Sequence, residues 1–429
     1  MTGAPPDSPM PNPLGMTSDE FVAEAALRGC SRDQSLRAYR QIFRLGPTAA
    51  YPQLSKRFRA LLAPTLGPDV EAGQGGGLAP IVRTHDEPTP EGVVAKFCQR
   101  LDFARVGRPE KGPIARDERV EHLDVESVII PMIGSSGKRT YTLCVSSQVG
   151  CAMGCGFCET AQMGLIRNLT AAEIVGQWAA ATFDAEAPLA EPDGLPGSEP
   201  ILPGAKRRIN NIVFMGMGEP LDNFEAVSQA IRVLSDHNGP AVGASNITIS
   251  TVGRVDGIRE LSGLVREEGF HRLGLAISVN APNDEVRSEL MPVNRGMPMA
   301  MLREALLEFP YRARTKLCFE YVLIPGVNDG REHAGQLADW LTPFKSDSDD
   351  PVPRGLLNLI PYNPRRDSPW PAPTEERVEE FMGWLIEEGV FVKRRRTKGR
   401  SQMAACGQLG TAEIRGRRFV GLTTSASDA

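Results

Sequence analysis

The segment 139–158 reads RTYTLCVSSQVGCAMGCGFC and joins a strand candidate to three closely spaced cysteines. Its first part, TYTLCVS, is apolar and β-branched, which is typical of a buried strand. Cysteines follow at positions 151, 155 and 158, with the spacing Cx3Cx2C. We therefore expect a strand that ends in a tight loop presenting three thiols.

The same strand opens a regular alternation of strand and helix candidates. The six strand candidates are TYTLCVS, NNIVFMG, NITISTV, LGLAISV, CFEYVLI and LLNLIPY, and amphipathic helices are predicted near 170–182, 224–236, 255–264, 298–309, 330–343 and 374–388. Alternating strands and helices imply a parallel sheet with helices against it. We predict an α/β fold, a partial (β/α)6 TIM-like barrel, whose active site lies at the C-terminal ends of the strands.

The rest of the chain divides by composition. We predict a disordered Pro-rich tail at 1–16, a small helical accessory domain at 17–69, a Gly/Pro-rich linker at 70–90, a small β extension at 91–138, the catalytic core at 139–410 with a flexible insertion at 184–206, and a disordered tail at 411–429.

Composition excludes several classes of protein. The 429 residues carry 48 basic and 53 acidic side chains, a net charge of −5, so a nucleic acid would have to bind through a local basic patch. No stretch approaches the roughly 20 apolar residues of a membrane span, and the N-terminus lacks the features of a secretory signal. We expect a cytoplasmic protein without a membrane partner.

Four of its eight cysteines fall within 144–158, which favours metal binding or catalysis over disulfides.

The cysteine triplet is suited to an iron–sulfur cluster. The thiolates of Cys151, Cys155 and Cys158 can hold three irons of a [4Fe-4S] cubane, which leaves the fourth iron open. The amino and carboxylate groups of S-adenosylmethionine (SAM) can chelate that iron, and reductive cleavage of SAM then gives a 5′-deoxyadenosyl radical. The alternative is a structural zinc site. Zinc prefers four protein ligands, and the only nearby candidate, Cys144, would require an unusual loop.

With its surroundings, the triplet resembles the RlmN/Cfr family of radical SAM adenine methyltransferases over roughly residues 91–410. The resemblance rests on eight strings in order: LCVSSQVGCAMGCGFCETAQMG, FMGMGEPLDN, ISTVG, ISVNAPNDEVR, MPVNR, LIPGVNDGREHA, NLIPYNP and AACGQL. It implies the radical SAM form of the barrel, with a [4Fe-4S] cluster and SAM as cofactors. It also implies that Phe157 packs against the SAM adenine.

The resemblance implies further SAM contacts at the ends of the other strands. These are Gly218 and Glu219 for the methionine part of SAM, and Ser250, Ser278, Asn280 and Asn363. Taken singly, each would more often be a turn or capping residue. This chain departs from the family's usual Ser-Leu-His-Ala-Pro because Asn280 replaces the histidine. Asparagine can form hydrogen bonds but cannot titrate near neutral pH.

The resemblance also implies a mechanism. Cys406 would carry a methyl group, and Cys144 would later attack its sulfur, releasing the product and leaving a transient Cys144–Cys406 disulfide. Glu126 matches the family's proposed proton acceptor, although an exposed structural glutamate is the alternative. The segment between Glu126 and Cys144 is longer than usual in the family.

Substrate and partners follow from the same resemblance. We expect methylation of adenosine at C2 in 23S rRNA and possibly in tRNA, by a monomer that receives electrons from a donor such as flavodoxin or ferredoxin. The helical N-terminus would help to grip RNA. The basic run 393–398 is either an RNA contact or a solvated strand end. The alternatives are a C8-methylating Cfr-type enzyme, a radical SAM enzyme with a non-RNA substrate, and a non-catalytic metal-cluster protein that binds RNA.

Overall fold

The architecture was analysed in a computed structural model. It describes residues 9–66, 79–102, 122–134, 137–184, 202–203, 205–310, 317–345, 354–395 and 408–409. Within these ranges a helical N-terminal unit precedes a large mixed sheet flanked by helices. The helices found there are all too short or too polar to traverse a lipid bilayer.

The N-terminal unit consists of four helices: α1 (Ser18–Leu27), α2 (Arg32–Leu45), α3 (Pro47–Ala50) and α4 (Lys56–Leu66). The first two begin at capping boxes in which Thr17 pairs with Glu20 and Ser31 pairs with Gln34. Each capping side chain satisfies backbone N–H groups that the first helical turn leaves without partners. The four helices lie within the segment 17–69, of which residues 17–66 are described.

The main sheet has ten strands in the order β1-β2-β3-β4-β7-β8-β9-β10-β11-β12. The strands are β1 (Ile81–Thr89), β2 (Gly92–Asp102), β3 (His122–Ile133), β4 (Arg139–Cys144), β7 (Ile209–Phe214), β8 (Ile247–Thr251), β9 (Gly274–Ser278), β10 (Leu317–Leu323), β11 (Gly355–Pro361) and β12 (Val392–Arg394), with β5 (Gln148–Gly150) and β6 (Leu165–Asn168) forming a separate hairpin. Pairing is antiparallel from β1 to β4 and parallel from β4 to β12.

The six predicted core strands are therefore confirmed as β4 and β7–β11, and the six predicted helices are confirmed with them. Those helices are α5 (Ala171–Ala179), α6 (Phe224–Ser235), α7 (Val255–Arg266), α9 (Met299–Glu308), α10 (Arg331–Trp340) and α11 (Glu375–Glu387), with a short additional helix α8 (Asp284–Leu290). The parallel strands and their crossover helices form the partial (β/α)6 barrel that the alternation predicts.

Two predicted boundaries are wrong. The tail prediction fails for residues 9–16, because Met10 and Leu14 are each only 1% exposed and the Met10 N–H donates to the Leu61 carbonyl at 3.1 Å. Pro-rich composition predicted disorder here and did not reveal that these two apolar side chains pack into the core. The linker prediction fails from residue 81, where β1 pairs with β2 across a tight turn between Thr89 and Gly92. Strand β1 is a polar edge strand without clear alternation, so periodicity missed it.

Other predicted segments lie largely outside the described residues. These are the insertion at 184–206, of which 185–201 and 204 are not described, and the tail at 411–429.

An aromatic column joins the N-terminal helices to the barrel. Tyr39 and Phe43 have ring centroids 4.7 Å apart, and Phe43 packs on Trp178 of α5 at 6.1 Å. Trp178 in turn meets Phe183 edge-on at 5.9 Å. Close to this column, the carboxylate of Asp236 accepts hydrogen bonds from the backbone and side chain of Ser18. The helices and the barrel consequently share one hydrophobic core.

We expect Trp178→Ala to lower the free energy of unfolding by about 3–5 kcal/mol, because it opens a cavity between two packed rings. Trp178 is 3% exposed. The control is Leu27→Ala, since Leu27 is 53% exposed and its truncation should cost less than about 0.5 kcal/mol. Urea titration followed by circular dichroism measures both values. Equal losses in the two variants would contradict the shared core.

Candidate active site

The β5–β6 hairpin holds the base of the cysteine loop. The Cys151 N–H donates to the Gly164 carbonyl at 3.0 Å, which closes the loop across the hairpin. Gly150 has a φ of +74°, and a Cβ at this position would lie 1.8 Å from the Gly164 carbonyl oxygen. Only glycine allows both the positive φ and this close backbone approach. Gly150 therefore determines how the loop starts.

The far side of the loop is held by the segments after β9 and β11. The Gly156 N–H donates to the Leu290 carbonyl at 2.9 Å, and the Gly156 carbonyl accepts from Arg365 Nε at 2.7 Å. Beside it, the buried Glu159 carboxylate accepts from the Arg366 backbone N–H at 3.2 Å. The sequence motifs did not predict these two arginines. Their signal was the polar string after LIPYNP, which composition alone marks only as a loop.

The three thiols line one cleft, and Cys151 and Cys155 are 8% and 4% exposed. Burial raises the pKa of all three thiols above its ordinary value. Metal coordination would reverse this, because it deprotonates a thiol outright. Among the described residues, no three Cys, His, Asp or Glu side chains converge on a point that could hold one metal ion. Three thiols around one cleft can supply one thiolate to each of three irons of a [4Fe-4S] cluster.

The cleft opens at the C-terminal ends of the parallel strands and has an empty volume of ≈ 1010 Å³, including its mouth. All six predicted SAM contacts line this cleft together with the three cysteines and Phe157: Gly218, Glu219, Ser250, Ser278, Asn280 and Asn363. The structure thus brings together residues that span more than 200 positions of the chain.

Glu219 is fixed by backbone donors. Its carboxylate accepts from the Leu221 N–H at 3.1 Å and from the Val252 N–H at 2.9 Å, and the side chain is 2% exposed. Burial raises the pKa of Glu219 to about 7, although these hydrogen bonds favour the ionised form. The preceding Gly218 has a φ of +99°, and a Cβ there would lie 2.5 Å from Gln148 Cβ. The turn therefore depends on glycine to present the carboxylate.

Asn280 adopts a positive φ of +56° and is 2% exposed. Its Oδ1 accepts from the Val322 N–H at 2.9 Å, and its Nδ2 contacts Met291 Sδ at 3.7 Å. Asparagine is among the few residues with a side chain that tolerate this conformation. Asn280 thus braces the end of β9 against β10 while lining the cleft.

Asn363 supplies an independent indication of a ligand. It is 4% exposed and lines the cleft, and its Oδ1 has no hydrogen-bond partner among the described residues. A buried carbonyl oxygen without a partner is costly, so a donor from a bound molecule would satisfy it. The adenine amino group of SAM is such a donor, and the residues present fit this cofactor.

Cys144 and Glu126 lie beside the cleft rather than among the residues that line it. Cys144 pairs with Val128 on one side and Val213 on the other, so these side chains share a face of the sheet. Glu126 lies two residues from Val128 on β3 and therefore points to the same face, and Met215, directly after β7, lines the cleft. The pairing of β3 with β4 is continuous from Val128–Cys144 to Ile133–Arg139, so the longer segment does not interrupt this register.

Glu126 is not an exposed glutamate, so that alternative is wrong. It is 3% exposed, and its Oε1 lies 3.4 Å from Lys96 Nζ and 3.9 Å from Cys98 Sγ. The arrangement is compatible with proton acceptance and with a structural ion pair.

Cys406 lies outside the described residues. Gln408 and Leu409, which follow it closely, are described: Leu409 lines the cleft and its carbonyl accepts from Thr160 Oγ1 at 2.5 Å. Two arginines of the predicted RNA contact at 393–398 are described, and each pairs with a carboxylate. Arg394 pairs with Glu375 at 2.6 Å, and Arg395 pairs with Glu320 at 3.4 Å.

Glu320 is the cleft residue that the sequence analysis overlooked. It lies within β10 and lines the cleft with its side chain buried. Its signal was the single carboxylate inside the apolar string CFEYVLI, where an acidic residue needs a partner.

Comparison with known proteins gives consistent relatives. The chain is 40% identical over 299 residues to a probable dual-specificity RNA methyltransferase RlmN 1 of Protochlamydia amoebophila, which covers 70% of this chain and 73% of the relative. It is 42% identical over 304 residues to a dual-specificity RNA methyltransferase RlmN of Campylobacter jejuni, covering 68% and 76% respectively. No family model matches the chain.

A solved structure extends the likeness to the whole fold. The crystal structure of a radical SAM methyltransferase from Sphaerobacter thermophilus superposes with a TM-score of 0.68 at 33% identity. The match covers 93% of this chain and 99% of the other.

After anaerobic reconstitution, we expect Gly150→Ala to bind less than about half of the iron that the parental chain binds. The reason is that the new Cβ collides with the backbone rather than with a movable side chain. The control is Gly263→Ala in α7, where a Cβ meets nothing within 4 Å. Iron and sulfide analysis measures both variants. Normal iron content in Gly150→Ala would show that the hairpin does not set the loop geometry.

Proposed function

The chain belongs to the RlmN family of dual-specificity RNA methyltransferases, and on this premise we propose that it methylates a ring carbon of adenosine in RNA. The observation that carries the proposal is the single cleft that joins three thiols to all six candidate SAM contacts. Its position at the C-terminal ends of the barrel strands is the usual place for catalysis in this architecture.

Two cofactors would occupy the cleft. Cys151, Cys155 and Cys158 would hold a [4Fe-4S] cluster, and the cluster would supply the electron that cleaves SAM. Glu219 would accept from the ammonium group of SAM, while Asn363 would accept from the adenine amino group. Phe157 lines the same cleft and offers an aromatic face to the adenine.

Two further cysteines would perform the methyl transfer. The Cys406 thiolate would attack the methyl group of a sulfonium, forming an S–C bond as the C–S bond of the sulfonium breaks. After the carbon has been joined to adenine, the Cys144 thiolate would attack the Cys406 sulfur. That step forms the Cys144–Cys406 disulfide and breaks the bond from Cys406 to the product carbon. Glu126 would accept the proton that leaves the adenine ring.

The wider setting follows from the same family. We favour C2 methylation, with 23S rRNA as the first candidate substrate, tRNA as the second, and the helical unit 17–69 as an RNA-binding domain. A flavodoxin-like or ferredoxin-like donor would deliver electrons to a monomeric enzyme in the cytoplasm. The rigid packing of the helical unit on α5 supports a fixed spacing between RNA contacts and the cleft.

We expect the cluster-loaded enzyme to form 2-methyladenosine in deproteinised rRNA or tRNA when incubated anaerobically with SAM and a reductant. Mass spectrometry against isomer standards identifies the product. Cys406→Ala and Cys144→Ala should each lower product by more than about 100-fold, because each removes a sulfur that acts in the cycle. Only Cys144→Ala should accumulate RNA covalently joined to the protein.

Cys30→Ala is the matched control, since this buried thiol lies in the helical unit. It should retain the parental activity. Formation of 8-methyladenosine would instead indicate a Cfr-type enzyme. Full activity of Cys406→Ala would exclude the methyl-cysteine route. If the protein binds metal and RNA but does not cleave SAM, it is a non-catalytic binding protein.

Ligand affinity should depend on the ionisation of Glu219, whose pKa is raised to about 7 by burial. An ammonium group prefers the carboxylate, so the affinity for S-adenosylhomocysteine should rise with pH up to about tenfold per unit below pH 7, and level off above about pH 8. The raised pKa has the opposite effect on folding. As the pH rises from about 4.5 to 7, the contribution of Glu219 to the free energy of unfolding falls, because in this range only the folded chain retains the proton.

Isothermal titration of cluster-loaded protein between pH 6 and 8.5 measures this affinity. Glu219→Gln should flatten the profile, whereas Glu260→Gln, at an exposed position on α7, should leave it intact. A profile that is unchanged in Glu219→Gln would remove Glu219 from ammonium binding.

A further inference from the structure

Glu320 is a buried carboxylate in the wall of the cleft. It is 5% exposed and pairs in register with Ser278 of β9 and Asn358 of β11. No role was assigned to it by the sequence motifs. A carboxylate removed from water must be satisfied by charged or hydrogen-bonding partners, so its contacts indicate what it does.

Those contacts divide between its two oxygens. Oε2 accepts from Ser250 Oγ at 2.9 Å and from Ser278 Oγ at 3.3 Å. Oε1 lies 3.4 Å from Arg395 Nη1, which also contacts Met215 Sδ at 3.8 Å. One oxygen therefore binds the two serines, while the other faces a guanidinium.

This division fixes the direction of the serine hydrogen bonds. A serine hydroxyl has one proton and two lone pairs. A carboxylate only accepts, so both serine protons are committed to Glu320. The oxygens of Ser250 and Ser278, which line the cleft, can then only accept hydrogen bonds from a ligand.

We propose that Glu320 is a positioning residue that makes Ser250 and Ser278 acceptors for the ribose hydroxyls of SAM. The inference rests on the proposed use of SAM. A vicinal diol offers two neighbouring O–H donors, which match two serine oxygens bound to one carboxylate oxygen. The ammonium group of SAM is served elsewhere, by Glu219, so the ribose is the remaining pair of donors that these serines can serve.

Glu320→Gln reverses the arrangement without a change of size. The Arg395 guanidinium only donates, so it attracts the amide oxygen and leaves the amide NH2 facing the serines. The serine oxygens would then accept from Gln and direct their own protons into the cleft. The ribose hydroxyls would lose their acceptors.

The test is a binding cycle on the cluster-loaded enzyme, measured by anaerobic isothermal titration. The probes are S-adenosylhomocysteine and its 2′,3′-dideoxy analogue. We expect removal of both hydroxyls to weaken binding to the parental enzyme by about 10- to 100-fold but to Glu320→Gln by less than about threefold. For S-adenosylhomocysteine itself, Glu320→Gln should bind about tenfold more weakly than the parental enzyme.

The control is Glu375→Gln. This glutamate also pairs with an arginine of β12, Arg394, but its side chain is 72% exposed and does not line the cleft. It should reproduce the parental affinities for both probes. Ser250→Ala removes one acceptor directly and should show the same loss of discrimination, which keeps the test decisive if Glu320→Gln does not fold.

Two outcomes would overturn the inference. In one, Glu320→Gln and Ser250→Ala lower the affinity for both probes by the same factor. In the other, neither variant changes the penalty for losing the hydroxyls. Failure of the parental cluster-loaded enzyme to bind S-adenosylhomocysteine at all would instead contradict the proposed function.

Discussion

The cleft depends on one buried guanidinium. Arg287 of α8 is fully buried, and it donates to the carbonyls of Val252 and Val279 and to Asn294 Oδ1. Burial lowers the pKa of Arg287 to about 10, which still leaves it protonated at neutral pH. A buried cation is tolerated only when its N–H groups find acceptors, so the chain after β8 and the chain after β9 must both turn toward it. Those turns directly follow Ser250 and Ser278, so Arg287 fixes the positions of the strand ends that form the cleft wall.

Two carboxylates in the cleft wall are held by different kinds of hydrogen-bond donor. Glu219 is anchored by backbone N–H groups, including that of Val252, whose carbonyl binds Arg287. Glu320 is anchored by side chains, two hydroxyls and a guanidinium. Backbone donors cannot rotate away, whereas hydroxyl protons can. Glu219 is thus a fixed acceptor, and Glu320 controls the direction in which its neighbours bond. Both are oriented before any ligand arrives, which lowers the entropy lost on binding.

The sequence predicted the parallel strands and their helices because each core strand is an apolar run of strand length that ends in polar residues, as NNIVF ends before Gly216. The resemblance to the RlmN/Cfr family predicted the cleft residues, and they meet because the C-terminal ends of parallel strands lie at one edge of the sheet. The sequence could not predict Arg287 or Glu320, whose partners lie on other strands and depend on register. Nor could it predict the order at Met10 and Leu14, since composition averages over single apolar anchors in a Pro-rich stretch.

The departure at Asn280 is explained by the same geometry. Its backbone lies in the left-handed region, its Oδ1 caps the Val322 N–H, and its carbonyl accepts from Asn328 Nδ2 at 2.9 Å. A neutral imidazole could also accept and donate, but asparagine reaches the adjacent strand with a shorter side chain and tolerates a positive φ. These contacts need no proton to move between pH 6 and 8. The position therefore contributes to the cleft by shape and bracing.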